Sequence, residues 1–122
     1  MKIKCVITDD EPIARKGLRG YIEKTDFLTL TGECENALQL NELLKKEQPE
    51  LLFMDIEMPY INGIDFLSGI HNPPKVIITS AYEQYALKGY ELNVTDYLLK
   101  PIVQKEFSAM IQKMVNRLEQ SA

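Results

Sequence analysis

The chain alternates short apolar runs with longer stretches in which apolar residues recur at helical spacing. The short runs predict strands, because β-branched and apolar residues between turn signals favour a sheet. The spaced stretches predict helices with one apolar face. We predict strands at residues 2–8, 27–34, 51–54, 75–79 and 94–99, and helices at 12–24, 37–47, 64–70, 82–92 and 104–118.

Strict alternation of strand and helix predicts a doubly wound α/β domain with a five-stranded parallel sheet. The run at 51–54 is uninterrupted, which is typical of a central strand buried on both faces. Pro59 cannot continue a ladder, so this strand ends close to Asp55. Asp55 is therefore expected at the carboxyl edge of the sheet, where open α/β sheets bind their ligands.

Polar residues also follow three of the other predicted strands. Asp9 and Asp10 follow the first strand, Ser80 the fourth and Lys100 the fifth. Because the carboxyl ends of parallel strands share one edge, these side chains should converge on Asp55. Three carboxylates repel one another unless a cation joins them. Oxygen ligands without His or Cys suit Mg²⁺, with Mn²⁺ as the alternative.

The same edge predicts a chemistry. A lysine and a hydroxyl opposite a metal ion can hold the oxygens of a transferring phosphoryl group. A carboxylate can itself be the nucleophile and form an aspartyl-phosphate. The residues therefore predict phosphoryl transfer onto an aspartate.

Composition narrows the class of protein. The 122 residues are one domain's worth of chain and carry a net charge of −4 without a run of Lys or Arg. This argues against a domain that grips nucleic acid or an anionic membrane by itself. No stretch approaches the ~20 apolar residues of a membrane span, and a cytoplasmic location is expected. Cys5 and Cys34 lack CxxC spacing and are expected as buried free thiols.

In this order, the motifs resemble the receiver domain of two-component response regulators along the whole chain. They are Asp9-Asp10, Asp55 with Met58-Pro59 and Gly63, Ser80-Ala81, and Lys100-Pro101. The resemblance implies a flavodoxin-like (βα)₅ fold with strand order 2-1-3-4-5. It also implies a cis bond between Lys100 and Pro101.

The resemblance implies a function as well. A sensor histidine kinase would donate a phosphoryl group to Asp55, and the chain would catalyse only its own phosphorylation and dephosphorylation rather than act as an enzyme on other substrates. Ser80 and Lys100 would hold the phosphoryl oxygens. The implied metal ligands are Asp9 (mostly through water), Asp10, Asp55 and the backbone carbonyl of Glu57.

Phosphorylation is expected to switch one surface, formed by the predicted fourth helix, the fifth strand and the fifth helix. By the resemblance, Tyr97 is the aromatic that turns inward when Ser80 reaches the phosphate. Tyr97 can equally be a core residue of the fifth strand, and both interpretations stay open. The switched surface would form a homodimer or release an attached domain.

Two segments narrow the resemblance to the LytR/AlgR subgroup: 9–15 and the stretch from Ser80 to Pro101. Members usually carry a C-terminal LytTR domain that binds DNA. Residues 1–122 are thus either a stand-alone receiver or a receiver that continues into such a domain, and we favour the second. DNA would be contacted only through that domain, and the expected output is transcription.

The same residues allow other interpretations. Asp9 and Asp10 could be simple helix caps. A flavodoxin-like FMN carrier would need a phosphate-cradling loop where this chain has acids, and a haloacid-dehalogenase-type phosphatase would need a DxD on the first strand. A degenerate receiver used as a protein–protein interaction module remains the alternative, although none of the acids or the lysine is missing. Glu57 and Tyr82 should flank the path of an attacking water, which leaves the phosphoryl lifetime open.

Overall fold

The computed structural model describes residues 2–84, 91 and 94–121. The strands are β1 (Ile3–Thr8), β2 (Leu28–Cys34), β3 (Leu51–Asp55), β4 (Lys75–Ser80) and β5 (Asp96–Leu99). The helices are α1 (Pro12–Glu23), α2 (Ala37–Lys46), α3 (Gly63–Ser68) and α4 (Gln104–Ser121). The helix predicted over 82–92 falls mostly outside the described residues; 82–84 are not helical and Glu91 is.

The strands form one parallel sheet in the order β2-β1-β3-β4-β5. This confirms the predicted class and the flavodoxin-like strand order. Every residue of β3 is buried, as expected for a central strand with helices on both faces. Asp55 is the last residue of β3 and pairs with Thr79 of β4. The carboxylate therefore belongs to a fixed strand end.

Alternate residues of the strands build two cores, one on each face of the sheet. On one face Phe53 stacks on Phe107 of α4 with ring centroids 5.6 Å apart, and Leu18 of α1 joins them. On the other face Met54 packs with Leu40 of α2 and the residues of α3. Four apolar residues on one face of α4 are buried: Phe107, Met110, Ile111 and Met114.

The loop between β3 and α3 closes tightly over the end of β3. Asn62 caps α3 by accepting a hydrogen bond from the N–H of Asp65 at 2.9 Å. Gly63 then lies against the strand end, where an added Cβ would stand 2.7 Å from the Asp55 carbonyl oxygen and 3.0 Å from the Ile56 Cα. Both neighbours are backbone, so neither can move aside cheaply.

We expect Gly63→Ala to push this loop away from Asp55 and to destabilise the domain by about 1–3 kcal/mol. Gly20→Ala is the matched control, because a Cβ there meets nothing within 4 Å and α1 should gain about 0.5–1 kcal/mol. Urea denaturation of both variants measures the difference. Equal effects of the two substitutions would contradict the close approach at Gly63.

Several smaller expectations can be compared with the structure. The Lys100–Pro101 bond is cis. Cys5 and Cys34 are buried and unbridged, and burial raises the pKa of Cys5 to about 12. His71 is exposed. Among the helices that the structure describes, none combines the length and the apolar character needed to cross a bilayer.

Candidate functional site

Three charged side chains meet at the carboxyl edge of the sheet. Asp9 directly follows β1, Asp55 ends β3 and Lys100 directly follows β5. The Lys100 Nζ lies 2.9 Å from the Asp9 Oδ2 and 3.4 Å from the Asp55 Oδ1. Both carboxylates are almost completely buried. The structure thus brings together three residues that lie far apart in the sequence.

Glu11 is a fourth member that the sequence did not reveal. Its Oε1 lies 3.2 Å from the Lys100 Nζ. Glu11 is the N-cap residue of α1, but its side chain makes no capping bond. Its backbone N–H instead donates to the Asp9 Oδ1 at 2.9 Å, which turns the chain sharply and directs Glu11 back toward the site.

Four carboxylates can share one cation here. One oxygen from each of Asp9, Asp10, Glu11 and Asp55 lies within 4.8 Å of the others. Asp10 and Glu11 are exposed, whereas Asp9 and Asp55 are buried, so a cation can enter from solvent. The set contains only oxygen donors and carries more negative charge than Lys100 offsets. These residues therefore fit Mg²⁺ or Mn²⁺.

A cleft of about 260 Å³ opens above the carboxylates. Glu57, Ala81 and Tyr82 form its opposite wall. The backbone N–H of Glu57 donates a hydrogen bond to the Asp55 carboxylate. The side chain of Glu57 is exposed, and it shares this wall with the equally exposed Tyr82, so both residues border the access to Asp55.

The environment of Asp55 opposes its ionisation. Burial, followed by the charge of Asp9, raises the pKa of Asp55 to about 7, although Lys100 and the Glu57 N–H act in the opposite direction. For Lys100, burial disfavours the charged form. Its hydrogen bond to Asp9 and the charge of Asp55 nevertheless raise the pKa of Lys100 above its usual value. The lysine therefore stays protonated while the site remains short of positive charge.

This pKa makes stability depend on pH. Between about pH 4 and pH 7 the unfolded chain has lost the Asp55 proton that the folded chain still holds, so stability falls as the pH rises. Asp55→Asn removes the effect. In EDTA at pH 8 the variant should be more stable than wild type by up to about 4 kcal/mol, because the amide avoids the cost of ionising Asp55 that the raised pKa expresses.

Urea denaturation of wild type and Asp55→Asn at a series of pH values measures this gain. The gain should shrink on acidification and level off below about pH 4, where Asp55 is protonated in both states of the wild type. A gain that grows on acidification would contradict a raised pKa at Asp55.

The two predicted switch residues converge on Tyr82 rather than on the cleft. Ser80 is fully buried, and its Oγ accepts a hydrogen bond from the Tyr82 N–H at 3.0 Å. Tyr97 is half-buried, packs against the core under α2 and α3, and donates its hydroxyl hydrogen to the Tyr82 carbonyl. Ser80 is absent from the described residues that line the cleft. The structure thus engages both hydroxyl groups at Tyr82.

The comparisons with known proteins decide the family. The family model described as "Response regulator receiver domain" matches residues 5–112. The chain belongs to this family.

Relatives and solved structures agree with this assignment. The receiver domain is 38% identical to the transcriptional regulatory protein BtsR of Escherichia coli over 97% of its own length and 48% of that protein. It therefore spans about half the length of this curated relative. The REC domain of AraT from Geobacillus stearothermophilus is 29% identical, with a TM-score of 0.88 and coverage of 99% and 98% of the two chains.

The response regulatory domain of mrkE from Klebsiella pneumoniae is 26% identical to the receiver domain. Its TM-score is also 0.88, over 97% of this chain and 99% of that one. These similarities establish the receiver family, while assignment to the LytR/AlgR subgroup stays a prediction.

Proposed function

We propose that Asp55 accepts a phosphoryl group from a sensor histidine kinase in a Mg²⁺-dependent reaction. The observation that carries the proposal is the position of Asp55. Its carboxylate ends the central strand, 3.4 Å from the Lys100 ammonium and within the group of four acids. A nucleophile, a cationic partner and a cation site thus share one cleft.

The reaction needs one bond to form and one to break. An Asp55 carboxylate oxygen attacks phosphorus, and the bond from phosphorus to the histidine nitrogen breaks as the imidazole leaves. The Lys100 ammonium is already beside the attacking oxygen and can follow the charge onto the phosphoryl oxygens. The Glu57 N–H holds the carboxylate during the attack.

The metal would be held by Asp10, Asp55 and the backbone carbonyl of Glu57. When bound, the ion neutralises the charge on the phosphoryl oxygens. Asp9 would act through water, because Lys100 already occupies its Oδ2. Exposed Glu11 lies near enough to join this shell.

An apolar groove supports a protein as the donor. It has a volume of about 540 Å³ and lies between α1 and the segment after β5. Ile13, which is 86% exposed, and Pro101 line it, and Asp9, Glu11 and Lys100 form its end. A donor domain that packs an apolar face here would bring its phosphohistidine to the edge of the cleft.

The switch follows from the bonds at Tyr82. If the Ser80 hydroxyl turns to a phosphoryl oxygen, it releases the Tyr82 N–H, and the turn that also carries the Tyr97 contact changes. The new group adds about −1.5 to −2 charges. We expect the surface formed by 82–92, β5 and α4 to change and to form a homodimer or act on an attached domain.

The output we propose is transcription. BtsR is named as a transcriptional regulatory protein, and the chain covers only 48% of its length. Together with the motifs of the LytR/AlgR subgroup, this supports a cytoplasmic protein in which residues 1–122 form the receiver domain ahead of a LytTR domain. Only that second domain would contact DNA.

The test is the intact mass after incubation with acetyl phosphate. With Mg²⁺ we expect the gain of one phosphoryl group, and with EDTA no gain. Beryllofluoride should bind under the same metal requirement. A folded chain that binds Mg²⁺ and gains no mass would contradict the phosphoacceptor function and leave a binding module.

A further inference from the structure

Arg15 contacts the backbone of the site and is not among the described residues that line the cleft. It lies on α1, and its Nη1 donates a hydrogen bond to the backbone carbonyl of Asp9 at 2.7 Å. Only 13% of its side chain is exposed. None of the roles described above uses this guanidinium.

Acidic residues at the end of β2 hold Arg15 in place. Its Nε lies 3.7 Å from Glu33, and its Nη2 lies 3.8 Å from Glu35. Glu33 is itself fixed by two parallel hydrogen bonds from Arg19, at 2.7 and 2.8 Å. The hydrogen bond from Arg19, which outweighs burial, lowers the pKa of Glu33 and keeps it charged.

The Arg15 contact completes the bonding of Asp9. The Asp9 N–H donates to the Cys34 carbonyl at 3.0 Å, its Oδ1 accepts from the Glu11 N–H, and its Oδ2 pairs with Lys100. The remaining polar group is the backbone carbonyl, which Arg15 holds. The N–H, the carbonyl and both carboxylate oxygens of Asp9 are thereby all engaged.

A peptide unit is planar, so the carbonyl of Asp9 shares a plane with the N–H and Cα of Asp10. A donor that holds this carbonyl also sets the direction in which Asp10 leaves the end of β1. Asp10 is one of the two exposed carboxylates of the metal group. The direction of the Asp10 side chain therefore depends on Arg15, which would not itself bind the metal.

We propose that Arg15 is a positioning residue for the cation site, which it serves by orienting the peptide between Asp9 and Asp10. The inference rests on the proposed metal site of the receiver. Mg²⁺ demands near-octahedral geometry, and loss of a partner that orients a ligand typically weakens metal binding about 10–100-fold. We expect Arg15→Met to weaken Mg²⁺ binding about tenfold.

Loss of the positive charge of Arg15 would by itself change the Mg²⁺ affinity in the opposite direction. Removing a cation beside a cluster of acids favours a divalent cation, because repulsion is lost. Arg19→Met is the matched control, since it removes an equal charge from the same Glu33 while the Arg15 bond to Asp9 can remain. It should leave Mg²⁺ affinity unchanged or slightly higher.

The experiment is calorimetric titration of the unphosphorylated protein with Mg²⁺, beside thermal unfolding of each variant. Arg15→Lys serves as the conservative variant. Its ammonium can donate to the Asp9 carbonyl without bridging both glutamates, so its affinity should lie between those of wild type and Arg15→Met.

Wild-type affinity in a folded Arg15→Met protein would overturn the inference and leave the proposed function intact. An equal loss in Arg19→Met would also overturn it, because the effect would then belong to the whole ion-pair network. If Arg15→Met does not fold, a loss of tenfold or more in Arg15→Lys would overturn the inference, because the lysine still donates to the Asp9 carbonyl. A wild-type protein that binds no Mg²⁺ would overturn both the metal site and this inference.

Discussion

The Asp55→Asn protein is expected to gain no phosphoryl group from acetyl phosphate at any Mg²⁺ concentration. Asparagine keeps the size of the side chain and can still accept the Glu57 hydrogen bond, but its neutral amide is a poor nucleophile. The fold should survive, since the substitution removes a buried charge that is ionised at a cost. Intact mass spectrometry of the two proteins, incubated in parallel, measures the difference.

Asp65→Asn is the matched control. Asp65 is an exposed carboxylate in the first turn of α3, outside the group of four acids, and its variant should label as wild type does. Peptide mapping would place any adduct. Full labelling of Asp55→Asn at a neighbouring acid would show that another residue is the acceptor.

Lys100→Met is expected to destabilise the metal-free domain by about 3–5 kcal/mol at neutral pH, the usual range for removal of one partner of a buried ion pair. The lysine is the cation seen between buried Asp9 and nearly buried Asp55, at 2.9 and 3.4 Å. Methionine fills the same volume without the charge. Asp9 would then lose its buried counter-ion, and the pKa of Asp55 would rise further above about 7 because Lys100 no longer lowers it.

Urea denaturation in EDTA measures this loss, and added Mg²⁺ should recover part of it, because the ion replaces the missing positive charge. Lys113→Met is the control. Lys113 is exposed and lies 3.9 Å from Asp96, so its loss should change stability by less than about 1 kcal/mol. A Lys100 variant as stable as the Lys113 variant would contradict the role of Lys100 as the internal counter-ion.

The sequence was sufficient for the fold because local signals agreed with the global pattern. The apolar run before Asp55 and the stop at Pro59 located the central strand, and its neighbours followed from alternation with helices. Because the carboxyl ends of parallel strands share one edge, the sequence then predicted that Asp9 and Lys100 lie close to Asp55. Such reasoning needs only the direction of the strands and the alternation of their side chains between the two faces of the sheet.

The sequence did not predict the directions in which individual side chains point. Glu11 joins the site by contacting Lys100, which is 89 residues away, and nothing in the local pattern distinguishes that contact from a helix-capping role. Arg15 was likewise an ordinary helix residue until the strand end beside it was known. Ser80 was correctly placed at the edge, but the bond of its hydroxyl to the Tyr82 N–H depends on a turn that sequence periodicity does not specify.

The reach of Lys100 has a mechanical consequence. β5 is an outer strand of the sheet, and only β4 separates it from the centre. Yet the residue that follows β5 is anchored by its side chain to the ends of β3 and β1, which lie two and three strands inward. The Lys100 side chain thus joins the outer strand β5 to the two central strands β3 and β1. A change of charge at Asp9 or Asp55 would therefore act directly on the residue that follows β5.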